Sequence, residues 1–111
     1  MYSTEISCVK IENLYNFILV LTTYPSKETT YRIAKSILHE RLAVCTSITT
    51  EIESLFWWKG NLGRTAEVVL IIKTRAALLE QLVGRLKELH PYEVPEIVAV
   101  SIAGRLEKYL S

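Results

Sequence analysis

The chain has 111 residues, half of them hydrophobic, and a formal net charge of +1. That is enough chain for one core and too apolar for a disordered segment. Its lysines and arginines are scattered rather than striped, which argues against a phosphate-neutralising, nucleic-acid-binding surface. The longest early apolar run, Phe17 to Leu21, is too short for a membrane span or a signal-peptide core. Cys8 and Cys45 form no metal or redox spacing motif, so a reducing cytoplasm is the expected compartment.

Residues 1–16 show no clean period and are expected to be an N-terminal extension, although Ile6, Cys8, Val9 and Ile11 would suit an added edge strand or a docked arm. Residues 17–111 are expected to form one domain. Phe17 to Thr23 predicts a buried strand that stops at Tyr24-Pro25. Ser26 stands where an N-cap belongs, with Glu28 in the first turn to complement the helix dipole. Ala34, Ile37, Leu38, Arg41 and Leu42 recur at helical spacing, so Lys27 to Leu42 predicts an amphipathic helix.

Val44 to Thr74 predicts a long hairpin turning at Lys59-Gly60, because Gly60 tolerates the positive φ of a tight turn. Before the turn, Val44, Ile48, Ile52, Phe56 and Trp58 fall on even positions, the signature of one sheet face. After it, Val68 to Ile72 is apolar throughout, as in a strand covered on both sides. About fifteen residues of strand would reach roughly 50 Å, far beyond a typical strand. A second helix is expected from Ala76 to about Leu89, ended by His90-Pro91. Glu96 to Ile102 predicts a last strand, and Arg105 to Leu110 a closing helical turn.

The order strand, helix, strand, strand, helix, strand predicts an α+β fold, the split βαβ arrangement with both helices on one face of an antiparallel sheet. FILVL, VVLII and IVAV are apolar on both faces, yet two helices cover only one. The other face and the long arm would leave a large apolar patch on a lone subunit. An obligate homo-oligomer is therefore expected.

Four motifs in order, Leu42-Ala43-Val44-Cys45, Trp58-Lys59-Gly60, Ile72-Lys73-Thr74 and His90-Pro91-Tyr92-Glu93-Val94-Pro95-Glu96-Ile97, resemble the CutA family of divalent-cation tolerance proteins. The likeness runs from about Phe17 to Tyr109. It implies a ferredoxin-like fold assembled as a homotrimer through the long hairpin, with a cytoplasmic role in tolerance of copper and other divalent metals; binding without turnover is the expected activity. It also implies a likeness to trimeric nitrogen-regulatory signalling proteins that bind small effectors. This chain departs from the pattern at Thr22 and Leu89, where some relatives carry a cysteine and a second histidine.

The candidate site residues each admit two readings. His90 suits copper or zinc as a neutral imidazole, or is simply a histidine at a helix C-terminus. Cys45 is a soft copper ligand as a thiolate, or a small core residue as a thiol. Lys73 interrupts an apolar strand end and should find a carboxylate, Glu96 or Glu67, within the subunit or across a boundary. With a two-residue turn and no bulge, Lys73 would face Thr46 and Thr74 would face Cys45. Lys73, Cys45, His90, Tyr92 and Glu96 would then line one cleft near a subunit boundary. Trp57 and Trp58 point to opposite faces of the arm, and Trp58 either packs at an interface or walls a ligand site. One functional reading is weak copper or other divalent-cation binding at His90 and Cys45. A second is a scaffold or effector trimer whose cleft takes a small anion or a peptide, with Lys73 supplying charge and Tyr92 a hydroxyl. A third, Cys45 as nucleophile with His90 as base, requires the two side chains within hydrogen-bond reach.

Overall fold

A computed structural model describes residues 9–10, 16–92, 95–102 and 105–106. In chain order the elements are β1 (Val9–Lys10), β2 (Phe17–Tyr24), α1 (Lys27–His39), β3 (Cys45–Ile48), β4 (Ile52–Trp58), β5 (Asn61–Arg75), a 3₁₀ turn (Ala76–Leu78), α2 (Leu79–Leu89), β6 (Ile97–Ser101) and β7 (Arg105–Leu106). The main sheet runs β3-β5-β2-β6, with β4 paired to the outer half of β5, and every pairing is antiparallel. This is the α+β architecture expected from the element order.

Local chemistry sets the boundaries. Ser26 is extended (φ −150°, ψ 158°) and its Oγ accepts from the Thr29 N–H at 3.2 Å, so the N-cap expectation holds. The helix ends at His39, three residues earlier than its apolar spacing suggests. Arg41 turns left-handed (φ 58°), its N–H bonds the Leu38 carbonyl, and the Leu42 N–H reaches back to the Ile37 carbonyl. This is a Schellman stop, and it keeps Leu42 in the core beside Ile37 without extending the helix. Outside, the Arg85 Nε meets both Glu40 oxygens (2.9 and 3.0 Å) and links α2 to the end of α1.

The core lies on one side of the sheet. Val20, Thr22 and Tyr24 of β2 and Val68, Leu70, Ile72 and Thr74 of β5 are buried on even positions, against Ile33, Ala34 and Ile37 of α1 and Leu82 and Leu86 of α2. The odd positions form the other face. Leu19 pairs with Lys73 and Val100, Leu21 with Ile71 and Val98, and Thr23 with Val69. Among the described residues no helix covers this face: Leu19, Leu21, Val69 and Ile71 are half-buried, and Val98 and Val100 are 45% and 46% exposed.

β5 has the expected length, fifteen residues, and carries the arm away from the body. Lys59 (φ 50°) and Gly60 (φ 80°) make the two-residue turn, as read from the sequence. The facing strand is not continuous. Three residues, 49–51, separate Ile48 from Ile52, while only Val68 and Val69 separate their partners Leu70 and Glu67. The extra residue is a bulge, anchored by the Thr49 N–H on the Val69 carbonyl (3.0 Å) and the Val69 N–H on the Thr49 Oγ1 (2.9 Å).

Two expectations fall with it. Lys73 faces Cys45, not Thr46. Ile48 and Ile52 lie opposite residues three apart on β5, so they point to opposite sides, and the even positions of the arm do not share one face. A third correction is at the C-terminal end. Arg105–Leu106 is not helical but pairs with Val9–Lys10, the added strand that the N-terminal segment was able to form. Residues 107–110 of that expected turn lie outside the described residues.

Candidate functional site

The odd-numbered side of the sheet continues onto the arm. Across β4 and β5, Ser54 faces Thr65, Phe56 faces Gly63 and Trp58 faces Asn61, in phase with Glu67 opposite Ile52. Tyr92 and Glu96, from the connector after α2, come up against the base of this surface. Together they enclose an open groove of about 800 Å³ with Thr23 in its floor. Gly63 is what lets its wall form. A Cβ there would stand 2.7 Å from Phe56 Cζ, so only glycine allows the Phe56 ring to lie over the facing strand.

His90 supports the groove from behind. β6 last pairs at Ile97 with Thr22, which leaves Thr23 without a strand neighbour on that side. The His90 Nε2 takes the place of that neighbour, 2.8 Å from the Thr23 carbonyl, while Nδ1 accepts the Tyr92 N–H at 3.1 Å. An Nδ1 that accepts must be unprotonated, so the ring is the neutral Nε2–H tautomer and donates to Thr23. The ring stacks on Tyr24 (4.4 Å between centroids) and tilts against Tyr92 (4.8 Å). Burial lowers its pKa below the ordinary histidine value, opposed by the Thr23 carbonyl and the nearby Glu67 charge. Burial likewise raises the Tyr92 pKa, and Glu67 adds to the rise.

Glu67 is the least expected member. It is 9% exposed and lines the groove, and among the described residues it has no hydrogen-bond or ion-pair partner. The sequence offered it only as a possible partner for Lys73. Lys73 lies six residues along β5, about 20 Å away, and cannot reach it within one subunit. Glu96 is out of reach for the same reason: Lys73 sits in the row of Leu19 and Val100, four residues along β6 from Glu96. The signal that could have found Glu67 is its phase, two residues on from Thr65 and opposite Ile52, on the Trp58 side of the arm.

Within one subunit the expected cleft is therefore two places. Tyr92, Glu96 and Trp58 meet at the groove, with His90 in its support. Cys45 and Lys73 face each other at the far end of the uncovered sheet face. Thr23, which anchors His90, pairs with Val69, four residues from Lys73 and about 13 Å along the strand. Within one subunit Cys45 and His90 cannot act as a nucleophile and its base, or as two ligands of one ion. Neither His90 nitrogen has a spare lone pair, and among the described residues no group of three His, Cys, Asp or Glu is placed to hold a metal. A closed metal site does not fit the described residues of one chain. What the groove offers a cation is the carboxylates of Glu67 and Glu96.

Comparison with known proteins agrees with this fold. The CutA1 divalent ion tolerance protein family model matches residues 18–111. The rice chloroplastic protein CutA 1 is 47% identical over 93 residues, covering 84% of this chain and 52% of that protein. The divalent-cation tolerance protein CutA of Pyrococcus horikoshii is 41% identical over 93 residues, covering 84% of this chain and 90% of that one. The crystal structure of rice CutA1 superposes with a TM-score of 0.83 at 45% identity, covering 88% and 90% of the two chains. That of the Thermus thermophilus protein gives 0.81 at 41%, covering 85% and 91%. The chain spans about half the length of the rice relative and 60% of the Arabidopsis one. With its two-helix antiparallel sheet and its match across residues 18–111, the chain belongs to the CutA1 family of divalent-ion tolerance proteins.

Proposed function

We propose that the chain works as a homo-oligomer, a trimer by its family resemblance, and contributes to divalent-cation tolerance by binding rather than by turnover. One observation carries the oligomer: Leu19, Leu21, Val69, Ile71, Val98 and Val100 form a continuous apolar face that no helix among the described residues covers. A standard interface hides about 800 Å² per partner, and at roughly 25 cal/mol per Å² of apolar area such burial is a strong drive to associate. The groove lies on the same side of the sheet, so a neighbour packed there can form part of its wall. Copper or another divalent ion held directly would meet the carboxylates of Glu67 and Glu96 first. His90 joins only by giving up the bond from the Tyr92 N–H, and Cys45 joins only across a subunit boundary.

The reading gives the cytoplasm as its compartment. Among the described residues no helix is long and apolar enough to cross a membrane. The effector alternative survives in altered form. Within one chain Lys73 does not line the groove and, among the described residues, both charged groups that do are acidic, which disfavours a small anion there. Calorimetry with cupric and manganous salts, cysteines kept reduced, tests the metal half. Saturable heat that falls in Glu67→Gln or Glu96→Gln supports it, and heat no greater than buffer contradicts it.

A further inference from the structure

The outer face of α1 lies across the sheet from the uncovered apolar face, so it stays in solvent when that face is covered by other copies. Arg32, Lys35 and His39 follow one another there at i, i+3 and i+7, with Ser36 between them. Like charges at this spacing weaken a helix, and among the described residues neither Arg32 nor Lys35 has a carboxylate partner. The carboxylate at the end of the row, Glu40, is held through both oxygens by the Arg85 Nε (2.9 and 3.0 Å). With Tyr31 these side chains line a hollow of about 400 Å³. Tyr31 is 59% exposed, and Lys35 rests its Nζ 5.4 Å from the ring centroid. The same tyrosine walls a second hollow, about 380 Å³, against Ile48, where Lys27 and Glu28 offset each other at the rim.

We propose that this face of α1 docks an acidic peptide segment of another protein, its carboxylates on Arg32 and Lys35 and an apolar side chain in the notch between Tyr31 and Ile48. Charge complementarity carries the assignment. The row presents a guanidinium, an ammonium, a hydroxyl and an imidazole, and its one carboxylate is already engaged. A guanidinium takes a carboxylate through two parallel hydrogen bonds, and an exposed tyrosine beside it is a common anchor of protein contacts. Two cations are too few for the phosphate-neutralising stripe that a nucleic acid needs, and such a stripe has no use for an apolar notch. The inference is independent of the tolerance role, since no residue of the groove and no metal takes part.

The test is fluorescence anisotropy of a labelled peptide of glutamates around one central leucine, titrated with the full chain at about 50 mM and about 300 mM salt. The expected result is saturable binding at the lower salt that weakens several-fold at the higher. Arg32→Glu and Lys35→Glu should each weaken it about fivefold or more, and Tyr31→Ser about threefold or more. Lys87→Glu, the same charge reversal at an exposed position of α2, should leave the affinity within about twofold. That control separates docking on α1 from the pull of net charge. All four side chains are exposed, so the variants keep the fold. No saturation at the lower salt overturns the proposal. So does an equal loss in Lys87→Glu, or an equal affinity for the peptide with lysine in place of glutamate. Tighter binding of a single-stranded oligothymidylate would overturn it as well, by making the face a nucleic-acid contact.

Discussion

His90 donates through Nε2 to the Thr23 carbonyl at 2.8 Å and so ties the end of α2 to the end of β2. Its Nδ1 accepts the Tyr92 N–H, which requires a neutral ring, and burial holds the pKa below the ordinary value. The unfolded chain then binds more protons than the folded one between the folded pKa and about 6.5. Stability from this group is complete above about pH 6.5 and is lost as the pH falls through the folded value. Urea midpoints at about pH 7.5 and 5.5 should show a larger drop for the wild type than for His90→Gln. The variant should itself be weaker by about 1–3 kcal/mol at the higher pH. Equal drops in the two proteins would contradict the buried, neutral ring.

Arg41 ends α1 in a left-handed conformation that a side chain disfavours by about 1–2 kcal/mol. Glycine removes that strain but loses more entropy on folding. Arg41→Gly should therefore raise stability by about 0.5–1 kcal/mol, read as a higher urea midpoint at unchanged slope. Arg41→Val should lower it. An unchanged midpoint in both would mean the Schellman stop contributes nothing.

Thr22 and Tyr24 are fully buried, and among the described residues neither side-chain hydroxyl has a hydrogen-bond partner. Burial raises the Tyr24 pKa. The neighbouring Thr22 hydroxyl opposes the rise, although the two oxygens do not meet in bonding geometry. Replacing Thr22 by valine keeps the shape and removes an unsatisfied group, so Thr22→Val should be neutral or stabilising by up to about 1–2 kcal/mol. A loss of that size would show that the hydroxyl is satisfied by a bound water.

The body of the fold was legible because each signal was local: Ser26 before a helical period, Gly60 at a turn, His90-Pro91 at a stop. Leu42 reads as helical because its apolar spacing is the same whether the chain continues or reverses at Arg41. The arm register was not legible. Nothing in Thr49-Thr50-Glu51 announces an extra residue, yet one bulge there turns Ile48 to the face opposite Ile52 and sets Cys45 against Lys73. The cleft inferred from that register divided accordingly. Trp58, Tyr92 and Glu96 kept their place because they depend on the turn and the proline connector, which the bulge does not touch. Glu67 reads in the sequence only as half of an ion pair, because a charge in an apolar strand suggests one; its surroundings come from the folded connector.

The claim beneath the rest is that the odd-numbered sheet face finds its cover on copies of the same chain. Sedimentation equilibrium of the wild type and of Val98→Lys across a micromolar range tests it directly. The account predicts three chain masses for the wild type and dissociation in the variant, since Val98 is 45% exposed in the single chain and only an assembly would register the charge. A stable wild-type particle of one chain mass would contradict it.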